Sequence, residues 1–192
     1  MFEIYLKNLV QVLEKIECTD VAKTIAPNYG VDRVVVMVRE VKKAGGKIVW
    51  VGNGGSAAIA SHSAADYFRT GNIKTQCFSD APLLTCMSND FGYSDVFSKP
   101  IELYAEPQDV LVAISSSGRS ANILNSVKAA RDKECAIVTL SGFDVENPLR
   151  KSGDINFYVP CSEYGHVELV HGVLCHSFLD LFMQSIRNKE VK

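Results

Sequence analysis

Short apolar segments that look like strands alternate with longer helical segments through most of the chain, and this alternation restricts the fold more than any other feature. Five segments rich in β-branched or aromatic residues predict strands, the second more weakly than the rest: 48–51, 75–79, 110–114, 136–140 and 155–159. Helical periodicity lies between and after them, at 56–68, 121–131 and 167–186. Strands and helices at this spacing form βαβ units. The sequence therefore predicts an α/β fold with one doubly wound sheet of five parallel strands.

The first 45 residues predict helices rather than strands. Leu6, Leu9, Leu13 and Ile16 recur at helical spacing, and a second apolar segment begins at 31 and ends before Gly45. The stretch 27–30, which contains a proline and a glycine, is expected to separate the two helices. We expect residues 1–45 to be a helical extension of a single domain spanning 1–192. Apolar terminal helices on a small domain fit a subunit interface, so this extension is expected to contribute to oligomerisation.

Composition is that of an ordinary globular protein. A length of 192 residues fits one domain, and a net charge of −2 gives no reason to expect affinity for nucleic acid or acidic membranes. The six cysteines show neither a CxxC pair nor regular spacing, which favours buried free thiols over disulfides or a cysteine metal site. Neither a signal peptide nor an apolar stretch near the ~20 residues of a membrane span is recognisable. We therefore expect a cytoplasmic protein with no nucleic-acid or membrane partner.

The first loop of interest follows the predicted strand 48–51. Its sequence is Gly52-Asn53-Gly54-Gly55-Ser56, in which the glycines allow close backbone approach to a ligand and the serine could cap the next helix. Such a helix N-terminus presents amide N–H groups to an anion. The loop is neither a GxGxxG nor a Walker motif. Taken alone, it is equally well interpreted as a tight strand-to-helix turn.

The second loop follows the predicted strand 110–114 and carries the stronger signal. It contains Ser115, Ser116, Ser117 and Ser120, together with a glycine, immediately before a predicted helix. Hydroxyl donors, backbone donors and a helix N-terminus are the groups that a terminal phosphate requires. In open α/β sheets ligands bind beyond the carboxyl ends of the strands, which is where both loops lie. The sequence therefore predicts a phosphate site at this loop.

Three ordered groups of residues resemble the phosphoheptose isomerase branch of the sugar isomerase (SIS) family. They are 52–58 (GNGGSAA), 84–85 with 89–90 (LT and ND), and 114–118 with 120–122 (ISSSG and SAN). The match in order and approximate spacing extends from about residue 40 to 182, most of the chain. Two departures from the family pattern are Arg119, where relatives often have a small or polar residue, and Gly165, near a frequent aspartate.

The resemblance implies a substrate site built from both loops. The resemblance implies that the four serines of the second loop hold the phosphate of a sugar phosphate. Further substrate contacts are expected from Asn53, Gly54, Gly55, Ser56, Asn89, Asp90 and Glu168. The resemblance also implies a homotetramer whose sites lie at subunit interfaces.

A metal and catalytic cluster is the second implication of the resemblance. His62 and Asp66 lie at i and i+4 on one predicted helix and so share a face. In the family, this helix carries a His and a Glu, and the last helix carries a Gln and a His eight residues apart. The corresponding residues here are His62, Asp66, Glu168 and His176, which predict a zinc site. Asp66 and His176 are expected to be catalytic, and the two remaining histidines, 166 and 171, are expected to be structural.

Two features of this cluster depart from the family pattern or strain its geometry. Asp66 is one methylene shorter than the expected glutamate, which withdraws its carboxylate by about 1.5 Å. Eight helical residues separate Glu168 from His176, a span of about 12 Å along the axis. The two can therefore ligate one ion only if their side chains converge, the helix bends or subunits contribute separately.

The activity implied by the resemblance is the isomerisation of sedoheptulose 7-phosphate to D-glycero-D-manno-heptose 7-phosphate, which supplies heptose for surface polysaccharide. One alternative is an SIS enzyme that acts on another phosphosugar. A second is a non-catalytic sugar-phosphate-binding regulator, which should lose the loop serines or the cluster histidines, whereas both are present here. A dinucleotide-dependent oxidoreductase is disfavoured because GxGxxG and its downstream acidic residue are missing.

Overall fold

The structure, a computed structural model, describes residues 1–21 and 23–190, and this part of the chain contains seven helices of the α type and seven strands. The helices are α1 (Phe2–Glu14), α2 (Pro27–Ala44), α3 (Gly55–Arg69), α4 (Ala81–Phe91), α5 (Ser98–Tyr104), α6 (Ala121–Asp132) and α7 (Tyr164–Glu190). The strands are β1 (Glu17–Asp20), β2 (Lys23–Ile25), β3 (Lys47–Gly52), β4 (Lys74–Cys77), β5 (Val110–Ser115), β6 (Ala136–Gly142) and β7 (Ile155–Val159). They form one sheet in the order β2-β1-β7-β6-β5-β3-β4.

The doubly wound parallel sheet is confirmed, but the predicted number of strands is wrong. The five predicted strands are β3 to β7, and every neighbouring pair among them is parallel. Their order, β4-β3-β5-β6-β7, is the flavodoxin-like order. Two additional strands, β1 and β2, extend the β7 edge as an antiparallel hairpin. The predicted helices 56–68, 121–131 and 167–186 are confirmed as α3, α6 and α7, whereas α4 and α5 were not predicted.

The N-terminal region is therefore not entirely helical, contrary to the prediction. β1 pairs with β7, and Cys18 of β1 lies opposite Phe157 and is 1% exposed. The proline at 27 does not separate two helices but begins α2, where the missing N–H costs nothing and φ is already suitable. Residues this close to an open sheet edge gain backbone hydrogen bonds by pairing with it.

Both faces of the sheet are covered by helices, which explains the nearly continuous apolar sequences of the central strands. Along β3, Ile48 and Trp50 point into a cluster with α2, α3 and α7, whereas Val49 and Val51 point into a second cluster with α5 and α6. β5 alternates in the same way. This period of two places one core on each side of the sheet.

Helix α7 is long and apolar enough to cross a membrane by length and composition, contrary to the prediction that no such segment exists. Its mean hydropathy reaches 1.3 over the most apolar window. Val167, Val170, Leu174 and Phe178, however, are buried in the core against α2 and the sheet. The apolar character of this face is accounted for by packing within the fold.

The six cysteines are free thiols, but the prediction that they are buried is correct for only three of them. Cys18, Cys135 and Cys175 are buried, and Cys86 is exposed. Burial raises the pKa of the Cys175 thiol to about 12, so this group stays protonated and unreactive at neutral pH.

Because His171 of α7 is buried, we expect the folded protein to lose stability in acid. Its ring is fully buried, with Nε2 3.2 Å from the Ser141 carbonyl oxygen and Nδ1 unpartnered. Burial lowers its pKa from 6.5 to about 4. Between these values the unfolded chain takes up a proton that the folded chain does not, so the free energy of unfolding should fall as the pH falls, by about 3 kcal/mol in all.

Urea unfolding of the wild type and of a His171→Gln variant, near pH 7 and near pH 4, measures this contribution. Glutamine stays neutral, so the variant should lose about 3 kcal/mol less on acidification than the wild type. Equal losses in the two proteins would show that His171 does not cause the acid sensitivity.

Candidate functional site

The candidate site lies where the chain changes direction across the sheet. β3 has β4 on one side and β5 on the other, so the connections after β3 and β5 diverge and leave a crevice between them. The ends of the two strands are in register, with Gly52 opposite Ile114. The Asn53 loop and the serine loop are therefore adjacent at the carboxyl edge of the sheet.

The serine loop forms a small pocket of about 110 Å³ at this edge, here called the serine pocket. Its lining consists of Asn53, Ser56, Ile114, Ser115, Ser116, Ser117, Ser120, Tyr164 and Glu168. Seven of the predicted site residues therefore meet in one place. Ser116 is 5% exposed, and its hydroxyl has no partner in the protein. A buried hydroxyl without a partner is costly, which fits a group that bonds to a ligand.

A helix N-terminus adjoins the serine pocket. Ser120 precedes the first residue of α6, and its side chain makes no capping hydrogen bond to the helix. Ser120 Oγ instead lies 3.4 Å from Ser115 Oγ. The first N–H groups of a helix attract anions, so the hydroxyls and α6 together suit a phosphate.

Gly118 fixes the shape of the serine loop. Its φ is +61°, in the left-handed region, and a Cβ built there would lie 1.9 Å from Oδ1 of Asn147. Asn147 is fully buried and is held by hydrogen bonds from its amide to the Gly142 and Asp144 carbonyl oxygens. The loop therefore packs against a side chain that cannot move aside, and only glycine fits at this position.

Arg119 does not line the serine pocket. Its guanidinium forms an ion pair with Asp144, on the loop that follows β6. The Glu146 amide and then the Arg119 guanidinium hold the pKa of Asp144 below its usual range. Among the residues that line the pocket there is no lysine or arginine. A bound anion would thus be held by neutral hydrogen-bond donors in this conformation.

A cluster of three possible metal ligands, here called the triad, lies between α3 and α7. His62 Nε2 is 3.2 Å and His176 Nδ1 is 3.7 Å from Asp66 Oδ2. The possible ligand atoms of the three residues all lie within 4.8 Å of one another. Two imidazoles and a carboxylate are a ligand set that suits zinc and other divalent ions. The two imidazole side chains are exposed, at 62% and 53%, whereas Asp66 is 23% exposed.

Comparison with known proteins gives the family. Residues 5–142 match the SIS domain family. The chain is similar to the phosphoheptose isomerase of Aliarcobacter butzleri, with 37% identity over 150 residues, 74% of this chain and 78% of that protein. It is also similar to that of an Enterobacter species, with 35% identity over 161 residues, 80% of this chain and 82% of that protein. The chain belongs to the phosphoheptose isomerase family. The resemblance seen in the sequence is thereby confirmed.

The fold of this phosphoheptose isomerase family member agrees with a solved structure. It is similar to phosphoheptose isomerase GmhA from Neisseria gonorrhoeae, with a TM-score of 0.79 and 28% identity over 94% of this chain and 97% of that chain. The SIS fold is thus confirmed, apart from the number of strands.

Glu168 lies at the serine pocket and outside the triad. Its carboxylate packs against Gly55, where a Cβ would come within 2.4 Å of it. This contact brings α7 close to the first residue of α3. Glu168 also lines a larger, mostly apolar cavity of about 910 Å³, which extends to His176. The side chain thus stands between the two parts of the site, rather than with the three possible metal ligands.

Asn89 and Asp90 are not brought to the serine pocket. They lie at the exposed C-terminal end of α4, where the Asn89 amide donates to Asp90 Oδ1 at 2.9 Å. No residue of α4 is buried. Gly54 has a φ of +53° with open space around it, and it is also absent from the pocket lining.

Two tyrosines that the sequence did not single out face the site. Tyr164, at the start of α7, lines the serine pocket, and Tyr5 of α1 lines the larger cavity. Tyr5 also stacks on His166, with 4.5 Å between the ring centroids. Its hydroxyl lies 3.6 Å from where a Cβ on Gly165 would stand. Nothing in the spacing along the chain connects Tyr5 with α7, so only the fold reveals this contact.

Proposed function

We propose that the protein isomerises sedoheptulose 7-phosphate to D-glycero-D-manno-heptose 7-phosphate. The observation that carries this proposal is the serine pocket, with its unpartnered Ser116 hydroxyl, in a member of the phosphoheptose isomerase family. Glu168 of this pocket also lines a cavity that reaches His176 of the triad. The pocket suits a terminal phosphate, and the triad supplies groups that can transfer protons. An aldose–ketose isomerase needs both.

The serine loop is proposed to anchor the phosphate. Ser115, Ser116, Ser117 and Ser120 surround the pocket, and α6 directs its N-terminus at the same region. Binding energy from this remote group would orient the reacting carbons of the sugar near the triad. Asn53, Ser56 and Glu168 would contact the sugar, as they share the pocket wall.

Asp66 and His176 are proposed to move the protons. In the ketose, Asp66 would remove a proton from C1 while O2 gains one, which gives an enediol. Loss of the O1 proton and return of a proton to C2 then give the aldose. His176 would carry the proton between the two oxygens.

A divalent ion, zinc by its ligand set, is proposed to bind at the triad. His62 Nε2, Asp66 Oδ2 and His176 Nδ1 would hold it, which leaves Asp66 Oδ1 and His176 Nε2 for the proton transfers. Glu168 lines the serine pocket and is not grouped with these three residues. A bound ion would draw electron density from the sugar carbonyl and stabilise the negative charge that develops on oxygen.

The proposed activity is tested by NMR of purified protein with sedoheptulose 7-phosphate, with zinc added or with chelator. We expect heptose 7-phosphate to form with zinc and its rate to fall at least about tenfold after chelation. Binding of the sugar phosphate without turnover would favour a regulator. Turnover of another ketose phosphate alone would favour an SIS enzyme with a different substrate.

We also propose a homotetramer, for which exposed apolar side chains on α1 and α7 are the support. Phe2, Ile4 and Val10 on α1 and Leu169 and Val173 on α7 are all at least 46% exposed. The exposed imidazoles of the triad would also gain protection from water if another subunit covered them. Light scattering should give a mass near four chains, whereas the mass of a single 21.1 kDa chain would contradict the proposal.

We place the protein in the cytoplasm, as a supplier of heptose for surface polysaccharide. Six free cysteines are typical of a reducing compartment. Cell fractionation tests this location, and recovery from the secreted or membrane fraction would contradict it.

A further inference from the structure

Two asparagine side chains form a reciprocal pair behind the serine pocket. The Asn53 amide donates to Asn122 Oδ1 at 2.9 Å, and the Asn122 amide donates to Asn53 Oδ1 at 2.9 Å. Asn53 belongs to the loop after β3, and Asn122 belongs to the first turn of α6. Asn122 is 2% exposed and does not line the pocket itself. Because each amide both donates and accepts, the pair couples the two side chains, and neither amide can turn over unless the other turns with it.

A third group completes the bonding of Asn53. The hydroxyl of Tyr93, in the turn that follows α4, donates to Asn53 Oδ1 at 2.9 Å. An amide oxygen has two lone pairs and an amide nitrogen has two hydrogens. Asn53 Oδ1 therefore accepts two bonds and is saturated, while its nitrogen donates one bond and keeps one free N–H. Asn53 thus has only a donor left to offer to the pocket that it lines.

We infer that Asn122, assisted by Tyr93, is a positioning residue that holds the Asn53 amide with its free N–H available to the sugar phosphate. A hydroxyl or carbonyl oxygen of the sugar would accept this bond. Without the pair, the Asn53 amide could turn over on its own and present its oxygen, which cannot donate a hydrogen bond to the carbonyl oxygen of the sugar. The inference rests on the proposed function only in taking the ligand to be a sugar phosphate.

A double-mutant cycle tests whether Asn122 acts through Asn53. Asn122→Ala should weaken the affinity for sedoheptulose 7-phosphate and lower kcat/KM, each by about tenfold. In an Asn53→Ala background, the same substitution should change either quantity less than about twofold. Affinity for inorganic phosphate should stay within about twofold of wild type throughout, because the serines hold that group.

A second variant and a control guard against loss of fold. Tyr93 is 57% exposed, so Tyr93→Phe should fold normally. It removes one hydroxyl, and its effect, about threefold, should also vanish in the Asn53→Ala background. Lys128→Ala is the control on the same helix, because Lys128 is exposed and forms no side-chain hydrogen bond, among the described residues, to Asn53 or to the turn that carries Tyr93. Its kinetics should equal those of the wild type.

The outcomes separate this inference from the proposed function. Additive losses for Asn122→Ala and Asn53→Ala, or an equal loss of inorganic phosphate affinity, would overturn the positioning role and indicate support of the serine loop. Unchanged kinetics in both Asn122→Ala and Tyr93→Phe would overturn it as well. Absence of turnover in the wild type would contradict the proposed isomerase activity but not the positioning role of Asn122. The double-mutant cycle can still be completed in that case, because it also measures the affinity for the sugar phosphate.

Discussion

Asp66→Asn is expected to lower kcat by about 10²- to 10⁴-fold, the range typical of losing a general base. Asparagine has the same shape but cannot accept the carbon-bound proton. Asp66 Oδ2 is also the atom that both His62 and His176 approach, so the substitution removes the one negative charge of the triad. Steady-state kinetics of the purified variant, with zinc content measured in parallel, gives the result.

Asp132→Asn is the matched control for this prediction. Asp132 ends α6, on an exposed surface away from the triad, and its substitution should leave kcat unchanged. Wild-type turnover in Asp66→Asn would show that another group performs the proton transfer. A loss of zinc without a loss of turnover would limit Asp66 to metal binding.

The second large effect is expected from Gly118→Ala, which should raise KM for the sugar phosphate by about 100-fold. Alanine at a φ of +61° is strained by about 1–2 kcal/mol. Its Cβ also meets the buried Asn147 side chain, so the loop must shift and the four serines lose their common geometry. Calorimetry with inorganic phosphate measures the same loss without relying on turnover.

Gly45→Ala separates backbone strain from the clash. Gly45 has a φ of +72° at the end of α2, and a Cβ there meets nothing within 4 Å. This variant should lose a similar amount of stability through strain but keep wild-type phosphate affinity. If Gly118→Ala bound phosphate as tightly as Gly45→Ala does, the serine loop would not be the phosphate site.

The central sheet could be predicted because its strands are buried on both faces. Segments such as 48–51 and 110–114 are apolar throughout, and the helices between them are long enough to show their period. β1 and β2 have only four and three residues and carry no such pattern. They are strands because β1 pairs with the edge of β7, and such tertiary pairing overrides the local preference.

The candidate site was predictable where its residues follow strand ends or share a helix face. The serine loop and the spacing of His62 and Asp66 are patterns of this kind. The placement of Asn89 and Asp90 was not, because it depends on how α4 packs, and the structure leaves them exposed. Tyr93 and Asn122 bond to Asn53 across 40 and 69 positions of the chain, and no local pattern connects them.

Isomerisation of sedoheptulose 7-phosphate in D₂O, followed by NMR, tests the central claim most directly. An enediol pathway in which Asp66 carries the proton exposes that proton to exchange, so the heptose 7-phosphate product should carry deuterium at C2. The Asp66→Asn variant should form almost no product. Absence of product with the wild type, or a product that holds only protium at C2, would contradict the account.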